Sequence, residues 1–182
     1  NGILSSSSQS AVAFFGVYYK LQTFIYMPTS GIVQGMRPLM SYNYGAKLKE
    51  RMHQILKVSG LVIAAILGAG TLLFFIVPNV LLSLFNASSG MLEIGETGLR
   101  ILSLSFIVSS FGVLMSGVFE ALGLGKYSLI VSLLRQLLIT VPLAYILLNV
   151  MGIEGIWLSF VIAEAIASIV AYILYRKKFK TI

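Results

Sequence analysis

Cysteine is absent from this 182-residue sequence, histidine occurs once, and charged residues make up only 10% of it. Without cysteine there is no disulfide, no thiol nucleophile and no cysteine-based metal site. The single histidine, His53, falls in a basic loop, with no second histidine to share a metal and no nucleophile beside it, and reads as a solvated loop residue. Carboxylates at catalytic spacing are also missing. The run GLGKYS at Gly123–Ser128 has the Gly-Lys pair of a phosphate loop but not its remainder. That loop needs a glycine where this chain has Glu120, and a Ser or Thr where it has Tyr127. These absences exclude the common enzyme classes and a nucleotide site. They also argue against a water-soluble domain, which carries about 25% charged residues.

What fills the sequence instead is apolar: 58% hydrophobic residues and a mean hydropathy of +0.94. The apolar residues come in long blocks such as LVIAAILGAGTLLFFIV, and about 20 of them are needed for a helix to cross a bilayer. Five spans follow, near 11–36, 55–77, 98–122, 129–150 and 155–175. All are expected to be helices, because an open sheet leaves backbone groups unsatisfied in lipid and the alternation of barrel strands is absent. The fold class is therefore an all-α polytopic transmembrane bundle. The chain does not begin with Met, and no basic segment precedes its first apolar block. It is expected to carry no signal peptide, with Asn1 a cut point inside a longer protein.

Net charge is +7, which in a soluble protein would suggest nucleic acid. Here the cations sit between the spans, and lipid phosphate is their expected partner. Arg37, Lys47, Lys49, Arg51 and Lys57 follow the first span, Lys126 the third, and Arg176, Lys177, Lys178 and Lys180 the last. The loops over 78–97 and 151–154 carry no Lys or Arg. Positive loops face the cytoplasm. The first helix then runs inward and the C-terminus is cytoplasmic.

Polar residues inside the spans fall into stripes at helical spacing. The first span aligns Gly16, Lys20, Thr23, Met27, Gly31 and Gln34, and the third aligns Ser105, Ser109, Gly112, Ser116, Glu120 and Gly123. The fourth aligns Ser128, Ser132, Arg135, Pro142 and Asn149, and the fifth Trp157, Glu164, Ser168, Ala171 and Tyr175. The second span is almost free of polar residues and is expected to face lipid. Two readings stand for the stripes. Small residues and hydroxyls let membrane helices pack closely. Ionisable residues at mid-membrane cost roughly 3 kcal/mol each on insertion and usually mark a cavity or an ion path. Lys20, Gln34, Glu120, Arg135 and Glu164 are the candidate pathway residues. Glu164 is the deepest carboxylate, with Lys20 its expected ion-pair partner. Pro28 and Pro142 each remove a helical hydrogen bond and mark either a fixed kink or a hinge.

The segment GIVQGMRPLMSYNYGAKLKER (Gly31–Arg51) resembles a signature of the multidrug and toxic compound extrusion (MATE) family, where a helix ends at a basic cytoplasmic loop. Pro38 and Gly45 are suited to turning the chain there, and Tyr42-Asn43-Tyr44 to capping the helix. The segments over 11–32, 119–147 and 152–164 are similar to the eighth and the last two helices of its Gram-positive branch, with Lys20, Arg135, Pro142, Trp157 and Glu164 at family-like places. The resemblance implies that residues 1–182 are part of the C-terminal lobe of a twelve-helix, two-lobed transporter of a bacterial inner membrane. It implies export of amphipathic cationic drugs in exchange for protons or sodium ions, by alternating access, with no cofactor and with the first lobe as partner. Where certain members place an aspartate in the tenth helix, this chain has Ser105 and Ser109. That leaves Glu164 as the coupling carboxylate expected of this segment. A lipid-linked oligosaccharide flippase of the same superfamily and a non-transporting scaffold subunit are the competing expectations.

Overall fold

The computed structural model describes residues 9–179, and its long helices coincide with the apolar blocks. They are α1 (Gln9–Gly45), α2 (Lys49–Ile76), the short α3 (Pro78–Ser83), α4 (Ser89–Ala121), α5 (Gly125–Leu133), α6 (Thr140–Met151) and α7 (Ile153–Phe179). A π-helical turn, Leu134–Leu138, joins α5 to α6, so that the two form one span over Gly125–Met151. No strand occurs among the described residues. Lys180, counted above with the basic tail, lies outside them.

Among the described residues, four helices are long and apolar enough to cross a membrane: Lys49–Ile76, Ser89–Ala121, Gly125–Met151 and Ile153–Lys178. The first span expected from sequence is α1, the longest helix at 37 residues. Lys20, Gln22, Thr23, Ser30 and Gln34 dilute its apolar content, and by composition it stands apart from the other four.

Paired residues give the helix directions. Phe14 faces Gly98, Tyr26 bonds Ser109 and Arg37 pairs with Glu120, so α1 and α4 run parallel. Trp157 reaches Gly98 and Ser168 donates to Val108 O at 3.0 Å, making α7 parallel to both. In the reverse sense, Thr71 donates to Ser103 O at 2.9 Å and Phe74 packs edge-on against Phe106, which sets α2 antiparallel to α4. α5 and α6 run antiparallel to α7. The core centres on α4, whose stripe of small residues lets its neighbours approach. A side chain at Gly98 would lie 2.6 Å from the Phe14 ring, and one at Gly117 2.5 Å from Val33. Phe14, Trp157, Phe106, Phe74 and Leu102 are fully buried around it. α2 exposes Val58, Leu61, Leu72, Phe75 and Ile76.

Several expected boundaries shift. α1 does not stop near Met36 but continues through Pro38 to Gly45. Proline there leaves only the Gln34 carbonyl without its helical donor, a cost the rest of the helix absorbs. The chain reverses at Lys47, not at Gly45: Lys47 takes φ 58°, and Leu48 N–H closes back onto Asn43 O at 2.9 Å. This is the left-handed closure that ends many helices. Asn43 contributes through that carbonyl, while its side chain donates to Leu39 O at 2.8 Å. α4 starts well before Gly98, where Ser88 accepts from Met91 N–H at 3.3 Å as an N-cap.

Candidate functional site

The polar stripe of α1 (Gly16, Lys20, Thr23, Met27, Gly31 and Gln34) is exposed along its whole length, while the opposite face buries Phe14, Tyr18, Leu21, Val33, Met36 and Met40. Beside that stripe, in the angle between α1, the α5–α6 span and α7, lies a cavity of about 600 Å³. Phe15, Tyr18, Tyr19, Tyr26 and Phe160 give it aromatic walls, and Gln22, Thr23, Gln34, Arg135 and Glu164 supply polar groups. A second cavity of about 230 Å³ continues toward the basic end, lined by Arg37, Ser116, Glu120 and Ser132. Ser30, Gln34 and Arg135 line both.

Glu164 sits deep on α7, and its Oε1 lies 3.4 Å from Arg135 Nε, the two side chains only 14% and 22% exposed. Its Oε2 is buried with no hydrogen-bond partner among the described residues. The expected pairing of Glu164 with Lys20 is therefore corrected. Lys20 lies on the exposed face of α1 and lines neither cavity. The partner is supplied by the neighbouring antiparallel helix. A π turn carries one extra residue per turn of ladder and re-aims the side chains within it. Arg135 is the second residue of that turn.

Glu120 is at the end of α4. It forms an ion pair with Arg37 of α1 and accepts from Ser128 Oγ at 2.7 Å, and Ser128 shares a 2.5 Å hydrogen bond with Ser116. Three helices are tied at the basic end by this cluster. Gln34 lies one turn before Arg37 on α1, at the junction of the cavities.

Of the five candidate residues, the structure gathers Gln34, Glu120, Arg135 and Glu164 along one polar channel and leaves Lys20 outside it. Arg37 is a loop charge by sequence, but the helix runs on through Pro38 and brings it to the channel. Tyr18, Gln22 and Tyr26 also line the larger cavity, and their spacing of four residues is the helical-face signal in the sequence that points to them. Tyr26 OH bonds Ser109 Oγ at 2.5 Å, which uses one of the α4 serines for packing. Ser105 bonds the Leu102 carbonyl at 2.6 Å and Gly112 faces Ser168. The α4 stripe thus serves close packing at Ser105 and Ser109 and reaches the channel at Gly112, Ser116 and Glu120.

The Arg37–Glu120 pair gives a test. Both side chains are about two-fifths exposed, so the pair stabilises modestly, by roughly 0.2–1 kcal/mol. Reversing one charge (Arg37→Glu) sets two carboxylates against each other. It is expected to lower the melting temperature of the full-length protein, and the exchange Arg37→Glu with Glu120→Arg to recover most of the loss. Failure of the exchange to recover any of it would show that the two side chains do not meet.

A helical bundle of membrane-spanning length, with Arg135, Glu164, Arg37 and Glu120 lining its cavities, belongs to the class of polytopic all-α membrane proteins. The chain is a member of the MatE family, whose sequence profile matches residues 1–146. Among curated relatives, it is 26% identical over 174 residues to the multidrug export protein MepA of Staphylococcus saprophyticus, a match covering 96% of this chain and 38% of that protein. The chain thus spans well under half the length of the relatives it matches. An outward-facing MATE family multidrug resistance transporter superposes with a TM-score of 0.90 at 22% identity, over 98% of this chain and 41% of the other. An inward-facing one superposes with 0.86 at 23% identity, over 93% and 40%.

Proposed function

We propose that this chain is the C-terminal lobe portion of a multidrug exporter that exchanges amphipathic organic cations for protons or sodium ions. The observation that carries the reading is the Glu164 carboxylate, half-paired with Arg135, on the wall of an aromatic cavity that opens along the polar face of α1. Aromatic faces and a carboxylate together suit a large, weakly hydrated cation. A first lobe of the same polypeptide is the natural cover for the exposed stripe of α1, and the solute passes between the two. The basic end, with Arg37, Lys47, Lys126 and Arg176, faces the cytoplasm of a bacterial inner membrane, as the distribution of Lys and Arg favours.

Likeness to both an outward- and an inward-facing transporter supports alternating access in which this helix set moves largely as a unit. In this reading Glu164 binds the drug cation in one state and the coupling ion in the other. Gln34 and Glu120 line the way between that site and the cytoplasmic mouth, and Lys20 faces the first lobe.

Ethidium movement into everted vesicles carrying the full-length protein tests the reading, with proton and sodium gradients imposed separately. Dye uptake driven by either gradient is the expected result and names the coupling ion. Inserted protein that moves no dye under either gradient would return the choice to the flippase or scaffold.

A further inference from the structure

We infer that Arg135 is a tethered occupant of an organic-cation subsite on Glu164, which an arriving cationic substrate displaces. The inference rests on the transport reading above and adds a competitor within the protein to it.

The first ground is the looseness of the pair. Arginine normally holds a carboxylate with two hydrogen bonds of about 2.7–2.9 Å. Here Arg135 Nε stands 3.4 Å from Glu164 Oε1, and Oε2 is buried with no hydrogen-bond donor among the described residues. A buried charged oxygen left without a donor is costly, so half of this carboxylate is open to a better partner. Phe15, Tyr26 and Phe160 line the same cavity. They present the aromatic surfaces that favour quaternary or delocalised cations.

The second ground is the backbone beneath Arg135. Ile139 N–H donates to Leu134 O at 3.2 Å, passing over the Arg135 carbonyl, which instead accepts the Thr140 hydroxyl at 2.5 Å. Pro142 has no N–H to offer Leu138 O. One side-chain hydroxyl and one proline thus favour the π register of this turn. If the turn relaxes to α geometry, Ile139 N–H passes to the Arg135 carbonyl. The Arg135 side chain then swings by about 100° relative to α6, the angle of one helical residue. Arg135 thus has a second position available, away from Glu164, without any helix unfolding. While Arg135 is engaged the carboxylate is neutralised, and when a substrate cation takes its place the arginine withdraws. Charge in the cavity stays balanced in both states.

Equilibrium binding of ethidium to the purified full-length protein tests this. Arg135→Gln removes the competitor and is expected to bind the dye about tenfold more tightly than wild type. Glu164→Gln is expected to bind it at least about tenfold more weakly. The double variant should match Glu164→Gln, because the arginine acts through the carboxylate. Thr140→Val keeps both charges and frees the π turn, and is expected to tighten binding about threefold. It also serves if Arg135→Gln does not fold. Wild type that transports ethidium, together with an Arg135→Gln or Thr140→Val variant of unchanged or weaker affinity, overturns this inference alone. Retention of the gain in the double variant overturns it as well. A wild type that moves no dye under either gradient counts instead against the transport reading beneath it.

Discussion

Glutamine at position 164 of the full-length protein is expected to reduce gradient-driven ethidium export by about ten- to a hundredfold while leaving the protein inserted and folded. The size follows from what the substitution removes. A hydrogen-bonded contact to a charged group contributes roughly 1.5–3 kcal/mol, and each 1.4 kcal/mol is tenfold. Glu164 offers such a contact through an oxygen that no side chain of the described residues occupies. Glutamine has nearly the same shape, so the packing of α7 against α4 should survive. That interface includes Trp157 against Gly98 and Ser168 against Gly112 and Val108 O, none of them altered by the change. Arg135 loses its counter-charge, but it keeps 22% exposure and lines both cavities, so its guanidinium can hydrate there. Removing one partner of a deeply buried pair would otherwise be severe. The measurement is initial export rate normalised to membrane-inserted protein. A rate equal to wild type would show that neither substrate nor coupling ion depends on this carboxylate.

The difference between what the sequence could say about α7 and about the α5–α6 span is instructive. Glu164 stands out in a linear reading because a lone carboxylate in the middle of VIAEAIASIV has no apolar rationale, and its depth follows from counting residues. Its partner does not stand out in the same way. Choosing between Lys20 and Arg135 requires the rotational phase of two helices, and the π turn shifts that phase by one residue midway along the span. Pro142 signalled an irregularity but not its kind. Glu120 shows the same division. Its place at a helix end was legible, whereas its ion pair depended on α1 continuing beyond Pro38 to bring Arg37 alongside. Spans and their alternation follow from hydropathy, which is local. Pairings across helices follow from register, which is not. Lys20 is a different case: it lies on the face of α1 that the described residues leave uncovered.

The largest expected loss of stability comes from Gly155, a residue outside both cavities, where a single methyl group has nowhere to go. In an alanine variant the added Cβ would lie 2.3 Å from Leu147 O and 2.6 Å from Leu147 C, both backbone atoms of α6. A clash with the tip of a flexible side chain can be relieved by rotation, but one with backbone requires a helix to move. The turn before it leaves little freedom for that. Gly152 holds φ 69° and ψ −148°, a conformation open essentially to glycine, with its N–H on Leu148 O at 3.0 Å. Gly155 N–H is in turn bound to Gly152 O at 3.1 Å. Overpacking of this kind costs about 1–3 kcal/mol or more, and Gly155→Ala should fall at the upper end, lowering the melting temperature of the full-length protein. Gly125→Ala, where the new methyl meets nothing within 4 Å, is the matched control and is expected to melt like wild type. The consequence extends to the channel, because α6 and α7 diverge from this turn toward Arg135 and Glu164. A wedge at Gly155 would widen their separation at the ion pair, so export should fall together with stability. If Gly155→Ala melts and transports as Gly125→Ala does, then α6 and α7 are not held in the close approach that brings Arg135 to Glu164.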